Sequence, residues 1–524
     1  MTKKVQDLFT FNPAMQPGIS KNVAILRGTW REMGFQYGQQ AKDAVQLIVS
    51  SKRGFAVKGF GSFAKAWKFV KDNYYTIYEK YIPELIEFWK GAAEATELSF
   101  EDIVVGSTVF NEEAYGCSTM SVWGDMTYDG RVLAGSNMDE PTYAANYDYV
   151  VVCYPTNGNP VISNRGFLQN CNLIMNNKGV VFMNSAGQDG AEGDRGFGVP
   201  NAKSGLLAAV YADNAEEARN RYLSFGSGNG ENGHTVDINK HAYIIEHNAR
   251  VNAVRKPGDF GEHDFMLNCN GFFTEEMEKS IFQGECAFTD SLPRYWTEEK
   301  ILRDNIGNVT MDIMDEALGA TDTYVDERYM DIVKNGKIPA YMKCERGRWI
   351  KNVWDESGRI GEWTPENRAA AWKCLIRTIC DPQTKEYFVT GSCRDNLLSV
   401  QPGATGNYMR LTLKDTPEEV NDDSRSYAQL MIWLAERDID KSNCRDDLNR
   451  IAYLDKAKAA FLEGYNYQFL SNNAEEENDL LMLLAKSTTA FCRAQSLAQM
   501  AQNDPHRIER DGKDMFIPGA FVGG

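Results

Sequence analysis

The sequence changes character at Cys117, and this change constrains the fold more than any other feature. Before it, residues 22–116 place apolar side chains near helical spacing, as in GTWREMGFQYGQQAKDAVQLIVSSK. After it, short β-rich runs are separated by turn signals such as Asp129-Gly130, Asn157-Gly158 and Lys178-Gly179. Strands gathered in runs, with helices in separate blocks, predict an α+β protein rather than alternating βαβ units.

The remaining segments predict how the chain is divided. Residues 290–370 are typical of helices and loops, and CLIRTICDPQTKEYFVTGS predicts a hairpin that turns at Asp381-Pro382-Gln383-Thr384. Long segments with helical periodicity return after about residue 400. We therefore expect a helical leading segment (1–116), a core (117–400) with a helical insertion near 290–370, and a helical C-terminal extension (401–524).

The charge of the chain argues against several classes of partner. The formal net charge is −17 and the pI is about 5.0, whereas nucleic acids and anionic membranes are bound by clustered Lys and Arg. The sequence contains no run of some eighteen apolar residues, which is the length needed to span a membrane. The N-terminal segment lacks the apolar stretch of a secretory signal. We therefore expect a cytoplasmic protein that binds neither nucleic acid nor membrane.

The cysteines and histidines argue against a disulfide framework and against a metal. Eleven cysteines are scattered without a Cys-x-x-Cys pair, which is typical of reduced thiols and leaves no paired zinc ligands. Of the five histidines, His234, His241 and His247 lie close together, but their spacing matches no helical ligand pair. We interpret these histidines as ordinary ones and expect no metal and no cofactor.

A nucleophilic cysteine needs a base, and histidine is scarce around Cys117. A cut between Gly116 and Cys117 would supply one, because a free α-amino group has a pKa near ~8 and can accept the thiol proton. Gly116 has no Cβ, so the thiol can approach its carbonyl for an N-to-S acyl shift. The alternative is a cysteine buried at the start of a strand, and a Gly-Cys pair by itself favours that alternative.

Three further segments carry a resemblance to a known family: Gly116-Cys117-Ser118-Thr119, Asp129-Gly130-Arg131-Val132-Leu133 and Gly135-Ser136-Asn137-Met138-Asp139. The pattern resembles the N-terminal-nucleophile (Ntn) hydrolases of the choloylglycine hydrolase type. Upstream, Arg27-Gly28 and REMGFQYG (31–38) are similar to the pro-segment of one branch. That branch is the acyl-coenzyme A:6-aminopenicillanate acyltransferase-like enzymes, also called the penicillin acyltransferase peptidase family. The long segment before Cys117 favours it over the related dipeptidases, which usually carry a short pro-segment.

The resemblance implies an αββα four-layer sandwich and a zymogen that cuts itself between Gly116 and Cys117. Cys117 would then be both the nucleophile and the new N-terminus. Asp139 matches the aspartate of the motif and would hold the new α-amino group, although it could also be a strand-end turn residue. Asn184 and Asn270 match asparagine motifs and would stabilise an oxyanion or orient the substrate; each could instead be a turn asparagine.

Four residues are candidates for substrate contacts: Ser136, Asn137, Arg165 and Arg195. Ser136 stands where bile-salt-hydrolase-like members have an arginine, which argues against a bile-salt substrate. Arg165 and Arg195 could pair with a substrate carboxylate, because guanidinium forks match that geometry, or they could be ordinary surface charges.

The leading hypothesis is an amidohydrolase or acyltransferase that acts on a small N-acyl amide or peptide-like substrate through an acyl-enzyme on Cys117. The alternative enzyme is a dipeptidase or conjugated-acid amidase with the same nucleophile. A non-enzymatic alternative is an interaction protein built on the same scaffold, to which the acidic C-terminal helices point. Those helices could equally cover the sandwich or form an interface between the copies of a homo-oligomer.

Overall fold

Two β-sheets and a set of helices make up the part of the chain that the computed structural model describes, namely residues 20–108, 116–140, 149–168, 171–187, 191–280, 291–319, 373–390, 408–441 and 448–502. The fold is therefore a mixture of helix and sheet. The helices are α1 (Trp30–Gln40), α2 (Lys42–Phe60), α3 (Phe63–Val70), α4 (Thr76–Tyr81), α5 (Pro83–Thr96), α6 (Phe100–Ser107), α7 (Asn201–Val210), α8 (Ala215–Ser224), α9 (Ser291–Asp304), α10 (Met311–Gly319), α11 (Pro417–Lys441), α12 (Leu448–Ser471) and α13 (Glu477–Met500). The strands are β1 (Asn22–Gly28), β2 (Gly116–Gly124), β3 (Gly130–Glu140), β4 (Tyr149–Pro155), β5 (Val161–Ser163), β6 (Leu173–Asn176), β7 (Val180–Ala186), β8 (Glu231–Asp237), β9 (Ala242–His247), β10 (Asn252–Arg255), β11 (Phe265–Asn268), β12 (Lys373–Asp381), β13 (Glu386–Thr390) and β14 (Tyr408–Thr412). A π-helical turn (Lys71–Tyr75) joins α3 to α4, and a 3-10 turn covers Glu275–Ser280.

The first sheet has eight strands in the order β1-β4-β5-β6-β7-β8-β9-β10. Only β1 and β4 pair parallel, with Asn22 opposite Tyr149, and the other neighbours pair antiparallel. The sequence of β4, YVVVCYP, is apolar almost throughout and buried from its second residue onward. Such a run suits a strand that is covered on both faces.

The second sheet has six antiparallel strands in the order β11-β2-β3-β12-β13-β14. β2 and β3 are joined through Asp129-Gly130, where Gly130 has a φ of 77° that glycine adopts without steric cost. The hairpin predicted at Asp381-Pro382-Gln383-Thr384 is confirmed, because β12 and β13 pair antiparallel up to Asp381 opposite Glu386. Cys117 thus lies in an inner strand of this sheet.

Successive side chains of a strand point to opposite faces of its sheet, so their contacts show what lies against each face. Thr119 and Ser121 of β2 reach His234 of β8, so this face of β2 contacts the eight-stranded sheet. On the opposite face of the six-stranded sheet, a Cβ at Gly135 would meet Leu318 and Met314 of α10.

The eight-stranded sheet likewise contacts a helix on one face and the other sheet on its opposite face. A Cβ at Gly205 of α7 would lie 2.8 Å from the Phe182 ring and 3.3 Å from Asn184 Nδ2 of β7. The next side chain of β7, Ser185, accepts a hydrogen bond from Asn268 of the six-stranded sheet. The two sheets therefore contact each other through β2, β7, β8 and β11, while α7 and α10 contact their other faces.

The N-terminal segment, predicted to be mostly helical, begins with a strand. Residues 22–28 (NVAILRG) form β1, because a buried apolar run this short can complete a sheet edge but is too short for a stable helix. The helices begin at α1, which Thr29 and Glu32 open with a capping box.

Helices α1 and α5 approach each other so closely that their backbones touch. A Cβ at Gly34 would lie 2.0 Å from the carbonyl oxygen of Phe88, and a Cβ at Gly91 would lie 2.0 Å from that of Arg31. Glycine is therefore required at both positions by packing. Gly34 belongs to the REMGFQYG segment, so this contact gives the segment a structural role in the helical region before Cys117.

The C-terminal region is not wholly helical either, because β14 (Tyr408–Thr412) lies beyond the expected boundary at residue 400 and pairs with β13. Helix α13 contacts both outer strands: Thr489 Oγ1 accepts from Val23 N of β1 at 2.9 Å, and Gln499 Nε2 donates to Tyr408 O of β14 at 2.9 Å. Both strands are sheet edges, which would otherwise present unpaired backbone groups.

The expected helical insertion near 290–370 falls partly outside the described residues. Helices α9 and α10 account for residues 291–319 of the expected helical insertion, and residues 320–370 lie outside the described part. Among the helices that the structure describes, none combines the length and apolar character needed to cross a membrane.

Candidate active site

Cys117 is the second residue of β2 and is only 3% exposed. Across the β2–β3 pair, Met138 lies opposite Cys117, and Asp139 lies opposite Gly116. On the other side, β11 pairs with β2 only as far as Asn268 opposite Thr119. Beyond that point, two side chains hydrogen-bond to the main chain of Cys117.

Asn270 supplies the first of these hydrogen bonds. Its Oδ1 accepts from Cys117 N at 2.8 Å, and its Nδ2 donates to Ala186 O at the end of β7 at 2.9 Å. Its φ is 64°, in the left-handed region that asparagine tolerates better than most residues. The residue is fully buried. Asn270 thus links the end of β2 to the end of β7.

Arg294, at the start of α9, supplies the second set. Its Nη1 donates to Cys117 O at 2.8 Å and to Ser118 Oγ at 3.0 Å, and its Nη2 donates to Asn270 Oδ1 at 2.9 Å. One planar guanidinium therefore fixes both the carbonyl of Cys117 and the amide oxygen that faces its N–H. The sequence analysis did not identify Arg294, and no motif around it marks it.

A second cysteine lies beside the site but is a poor nucleophile. Cys269 Sγ is 3.3 Å from Ser118 Oγ and 3.5 Å from Glu298 Oε2. Burial, and then the Glu298 carboxylate, raise the pKa of the Cys269 thiol well above its usual value. Burial likewise raises the pKa of the thiols at four other described positions: Cys153, Cys171, Cys380 and Cys492. These thiols stay protonated and unreactive.

His234, on β8, contacts the face of β2 to which Cys117 also belongs, yet it is not arranged as a base. Its Nε2 lies 2.8 Å from Ser121 Oγ and its Nδ1 lies 3.1 Å from Thr119 Oγ1. Burial lowers the pKa of this imidazole to about 3, with a smaller contribution from the positive charge of Arg255. Both ring nitrogens are therefore engaged, and the ring is neutral at physiological pH.

Asp139 is placed by its backbone alone, because its side chain lies outside the described part of the structure. Its main chain is adjacent to Gly116, the residue before the expected cut. The structure therefore brings the two positions together in the sheet.

Asn184 and Asn270 have different surroundings. Asn184 Nδ2 donates to Cys171 O at 2.9 Å on the face of β7 that α7 covers, whereas Asn270 is bonded to Cys117 itself. Of the two asparagines, Asn270 is the one that directly contacts the main chain of the expected nucleophile.

Ser136 and Asn137 of β3 are buried in a hydrogen-bonded network beside β2. Asn137 Oδ1 accepts from Ser118 N at 2.6 Å, and its Nδ2 donates to Leu318 O at 3.1 Å. Ser136 Oγ donates to Asn172 Oδ1 at 3.4 Å, and Asn172 Nδ2 donates to Asn137 O at 2.8 Å. Asn137 therefore holds β3 against β2 and α10, whereas Ser136 contacts Asn172, just before β6.

The two candidate arginines are placed differently. Arg165 is 2% exposed, and its Nη1 lies 3.1 Å from Met138 Sδ, next to the residue that pairs with Cys117. Arg195 is exposed in the loop before α7. Among the described residues, no group of three or more His, Cys, Asp or Glu could hold a metal ion.

Comparison with known proteins gives structural neighbours but no sequence relative. No family model matches the chain, and no curated protein matches it.

The structural neighbours include a conjugated bile acid hydrolase and a penicillin V acylase. A cysteine-to-alanine mutant of conjugated bile acid hydrolase from Clostridium perfringens is 8% identical, with a TM-score of 0.27, and the match covers 52% of this chain and 89% of that one. Penicillin V acylase from Agrobacterium tumefaciens is 12% identical, with a TM-score of 0.26, over 57% of this chain and 92% of that one. An arginine-to-leucine variant of the Clostridium enzyme is 8% identical, with a TM-score of 0.23, over 54% and 83%.

Proposed function

We propose that this protein is a cysteine Ntn hydrolase that cuts itself before Cys117 and then hydrolyses small N-acyl amides. The observation that carries the proposal is the support of the Cys117 main chain by two side chains, Asn270 on its N–H and Arg294 on its carbonyl. In most strands, the backbone of a neighbouring strand supplies the hydrogen bonds to such N–H and carbonyl groups. A side-chain acceptor can instead stay in place when the amide nitrogen becomes a free amine.

Self-cleavage comes first in this mechanism. Cys117 Sγ attacks the carbonyl carbon of Gly116, a C–S bond forms, and the C–N bond between the two residues breaks. The nitrogen takes up the thiol proton and becomes the α-amino group of Cys117. Water then hydrolyses the thioester, which gives a carboxylate on Gly116 and restores the thiol.

Turnover uses the new amine as the base. The α-amino group accepts the thiol proton, and Sγ attacks the carbonyl of the substrate amide. The resulting α-ammonium donates this proton to the nitrogen of the substrate amide. The C–N bond of the substrate then breaks, the amine departs, and the acyl group stays on Cys117 as a thioester. Water, activated by the same amine, releases the acyl group as a carboxylic acid. An external amine in place of water would make the protein an acyltransferase.

The surrounding residues take roles that follow from their positions. Asn270 Oδ1 orients the α-amine, Arg294 fixes both Asn270 and the Cys117 carbonyl, and Asp139 holds the amine from the neighbouring strand. Asn184 remains a candidate for stabilising an oxyanion or orienting the substrate. Arg165, buried beside Met138, is a candidate for contacting a carboxylate on the substrate.

The same proposal extends to the fold and its parts. The contacts of β2 with β8, of α7 with β7 and of α10 with β3 support an αββα four-layer sandwich. Residues 1–116 would become a separate chain that stays attached through β1, which pairs along its whole length with β4. Six cysteines whose side chains the structure describes are free thiols, in keeping with a cytoplasmic enzyme.

The test compares wild type with Cys117→Ala and, as a matched control, Cys269→Ala, which removes the neighbouring buried thiol. N-terminal sequencing and intact-mass measurement should find a fragment that begins at Cys117 in wild type and in Cys269→Ala, and none in Cys117→Ala. A panel of N-acyl amides, assayed with and without an added amine, should show turnover in the same two proteins. A wild type that stays uncut yet hydrolyses amides would refute the free-amine mechanism. A wild type that does neither would favour the scaffold hypothesis.

A further inference from the structure

Asn270 is held on both sides by one buried ion cluster, made of Glu246, Arg255 and Glu262. All three side chains are 0% exposed. Glu246 lies on β9 and Arg255 at the end of β10, both in the eight-stranded sheet, whereas the segment that they contact belongs to β11 and the turn after it. The cluster therefore joins the edges of the two sheets next to Asn270.

The contacts before Asn270 are made to Leu267, three residues earlier. Arg255 Nη2 donates to Leu267 O at 2.8 Å, and Leu267 N donates to Glu262 Oε1 at 3.1 Å. Arg255 Nη1 in turn donates to Glu262 Oε2 at 3.0 Å. Both backbone groups of Leu267 that point away from β2 are thus fixed by the same charge pair.

The contacts after Asn270 are made to Phe273 and Thr274. The carboxylate of Glu246 accepts from Phe273 N at 2.9 Å, from Thr274 N at 3.0 Å and from Thr274 Oγ1 at 2.9 Å. Arg255 Nε and Glu246 Oε1 form an ion pair at 3.0 Å, although the geometry is not that of a hydrogen bond. The guanidinium carbon of Arg255 lies 4.7 Å from the centre of the Phe273 ring.

Stability alone gives little reason for such a cluster. Three buried charges cost solvation, and buried ion pairs are often replaceable by apolar residues without loss of stability. Burial lowers the pKa of Arg255, but the Glu262 and Glu246 carboxylates raise it by more, so the guanidinium stays charged. What the cluster does supply is position. It fixes two backbone points on either side of a residue held in the left-handed region, and that residue contacts Cys117.

We propose that the Glu246–Arg255–Glu262 cluster is a positioning element that keeps Asn270 Oδ1 against Cys117 N without contacting the substrate. The proposal rests on the function proposed above. Its prediction is that loosening the cluster displaces Asn270, slows self-cleavage and lowers kcat, while KM changes little.

Arg255→Lys is the test variant because it keeps the positive charge but removes the fork that reaches both Leu267 and Glu262. Arg410→Lys is the matched control. Arg410 is also largely buried, pairs with two carboxylates (Glu386 at 2.7 Å and Asp423 at 2.9 Å) and stacks on an aromatic ring (Tyr427), but it lies on the outer strand β14. The two variants lose comparable ion pairs, but Arg255 lies on β10 of the eight-stranded sheet, where it contacts the segment around Asn270, whereas Arg410 lies on the far edge strand of the six-stranded sheet.

Three measurements are made on the full-length chain. Hydrogen–deuterium exchange, followed by mass spectrometry of peptides covering 117–123 and 265–274, should speed up at least tenfold in Arg255→Lys and remain at the wild-type rate in Arg410→Lys. The self-cleavage rate and kcat should fall at least tenfold more in Arg255→Lys than in Arg410→Lys. Thermal unfolding gives the stability of each variant for comparison.

Equal exchange in these two peptides for both variants, or activity losses that simply follow the loss of thermal stability, would overturn the proposal. If Arg255→Lys fails to fold, Glu262→Gln replaces it, because the amide keeps the shape of the side chain but removes its negative charge and one of its two acceptor oxygens. The exchange experiment needs no substrate. Selective loosening without any amidase activity in wild type would therefore refute the proposed function but support the positioning role.

Discussion

Asn270 Oδ1 lies 2.8 Å from Cys117 N and is also the acceptor for Arg294 Nη2. One amide oxygen thus holds the nitrogen at which the chain is expected to cut itself. Because Asn270 comes from beyond β11 and Arg294 from α9, two separate elements converge on the start of β2. The arrangement makes the main chain of Cys117, and not only its thiol, the centre of the site.

Asn270 should matter through its side chain and, separately, through its backbone. Asn270→Gly keeps the left-handed conformation but leaves the buried Cys117 N–H without this acceptor, at a cost of about 1–3 kcal/mol. Asn270→Ala adds about 1–2 kcal/mol of backbone strain. We expect both variants to lose self-cleavage at least tenfold, measured by intact mass over time, and Asn270→Ala to unfold at the lower temperature. Equal cleavage in wild type and Asn270→Gly would contradict the role of the amide oxygen.

Arg294 should be sensitive even to a conservative change. Lysine keeps the charge but cannot contact Cys117 O, Ser118 Oγ and Asn270 Oδ1 with one planar group. Hydrogen bonds to charged groups are worth about 1.5–3 kcal/mol, so Arg294→Lys should slow amide hydrolysis by roughly 10- to 100-fold. Arg303→Lys on the same helix, where the arginine pairs with Glu299, is the control and should retain activity. Similar losses in both variants would point to a general effect on α9.

His234 should make the protein sensitive to acid. Its pKa is lowered to about 3 in the folded state and is near ~6.5 in an unfolded chain, so between these values the unfolded state binds one more proton. The free energy of unfolding should therefore fall by up to about 1.4 kcal/mol per pH unit as the pH drops from ~6.5 towards 3. Urea unfolding at several pH values gives the slope of the unfolding free energy against pH. In His234→Gln this slope should be shallower, by an amount that corresponds to about one bound proton. An unchanged slope would mean that His234 is protonated in the folded state.

Gly91 should tolerate no side chain, because its Cβ would lie 2.0 Å from the carbonyl oxygen of Arg31. Gly91→Ala must push α1 and α5 apart and should lower the free energy of unfolding by about 1–3 kcal/mol. Gly54→Ala is the control: a Cβ at Gly54, on α2, would meet nothing within 4 Å, so alanine should stabilise the helix by up to ~1 kcal/mol. Chemical denaturation of both variants measures the difference. A neutral Gly91→Ala would show that the two helices can separate without cost.

Local features of the fold were predictable from the sequence. The change to strands at Cys117, the turn at Asp129-Gly130 and the hairpin at Asp381 to Thr384 all depend on side-chain alternation and turn residues within a few positions of each other. The sequence did not distinguish β1 and β14 from the helical regions next to them, because a strand of five to seven residues at a sheet edge is defined by its partner strand rather than by its own sequence.

What the sequence by itself determined is the position of Cys117 behind a glycine, at the start of a strand that turns back so that Asp139 lies beside Gly116. Only the tertiary structure decided which side chains surround it. Two asparagines matched motifs, but Asn270 contacts Cys117 while Asn184 points to Cys171. Arg294 and the Arg255 cluster carry no motif. They reach the site because the packing of two sheets and α9 brings together residues that are far apart in the chain, and no short-range pattern encodes that packing.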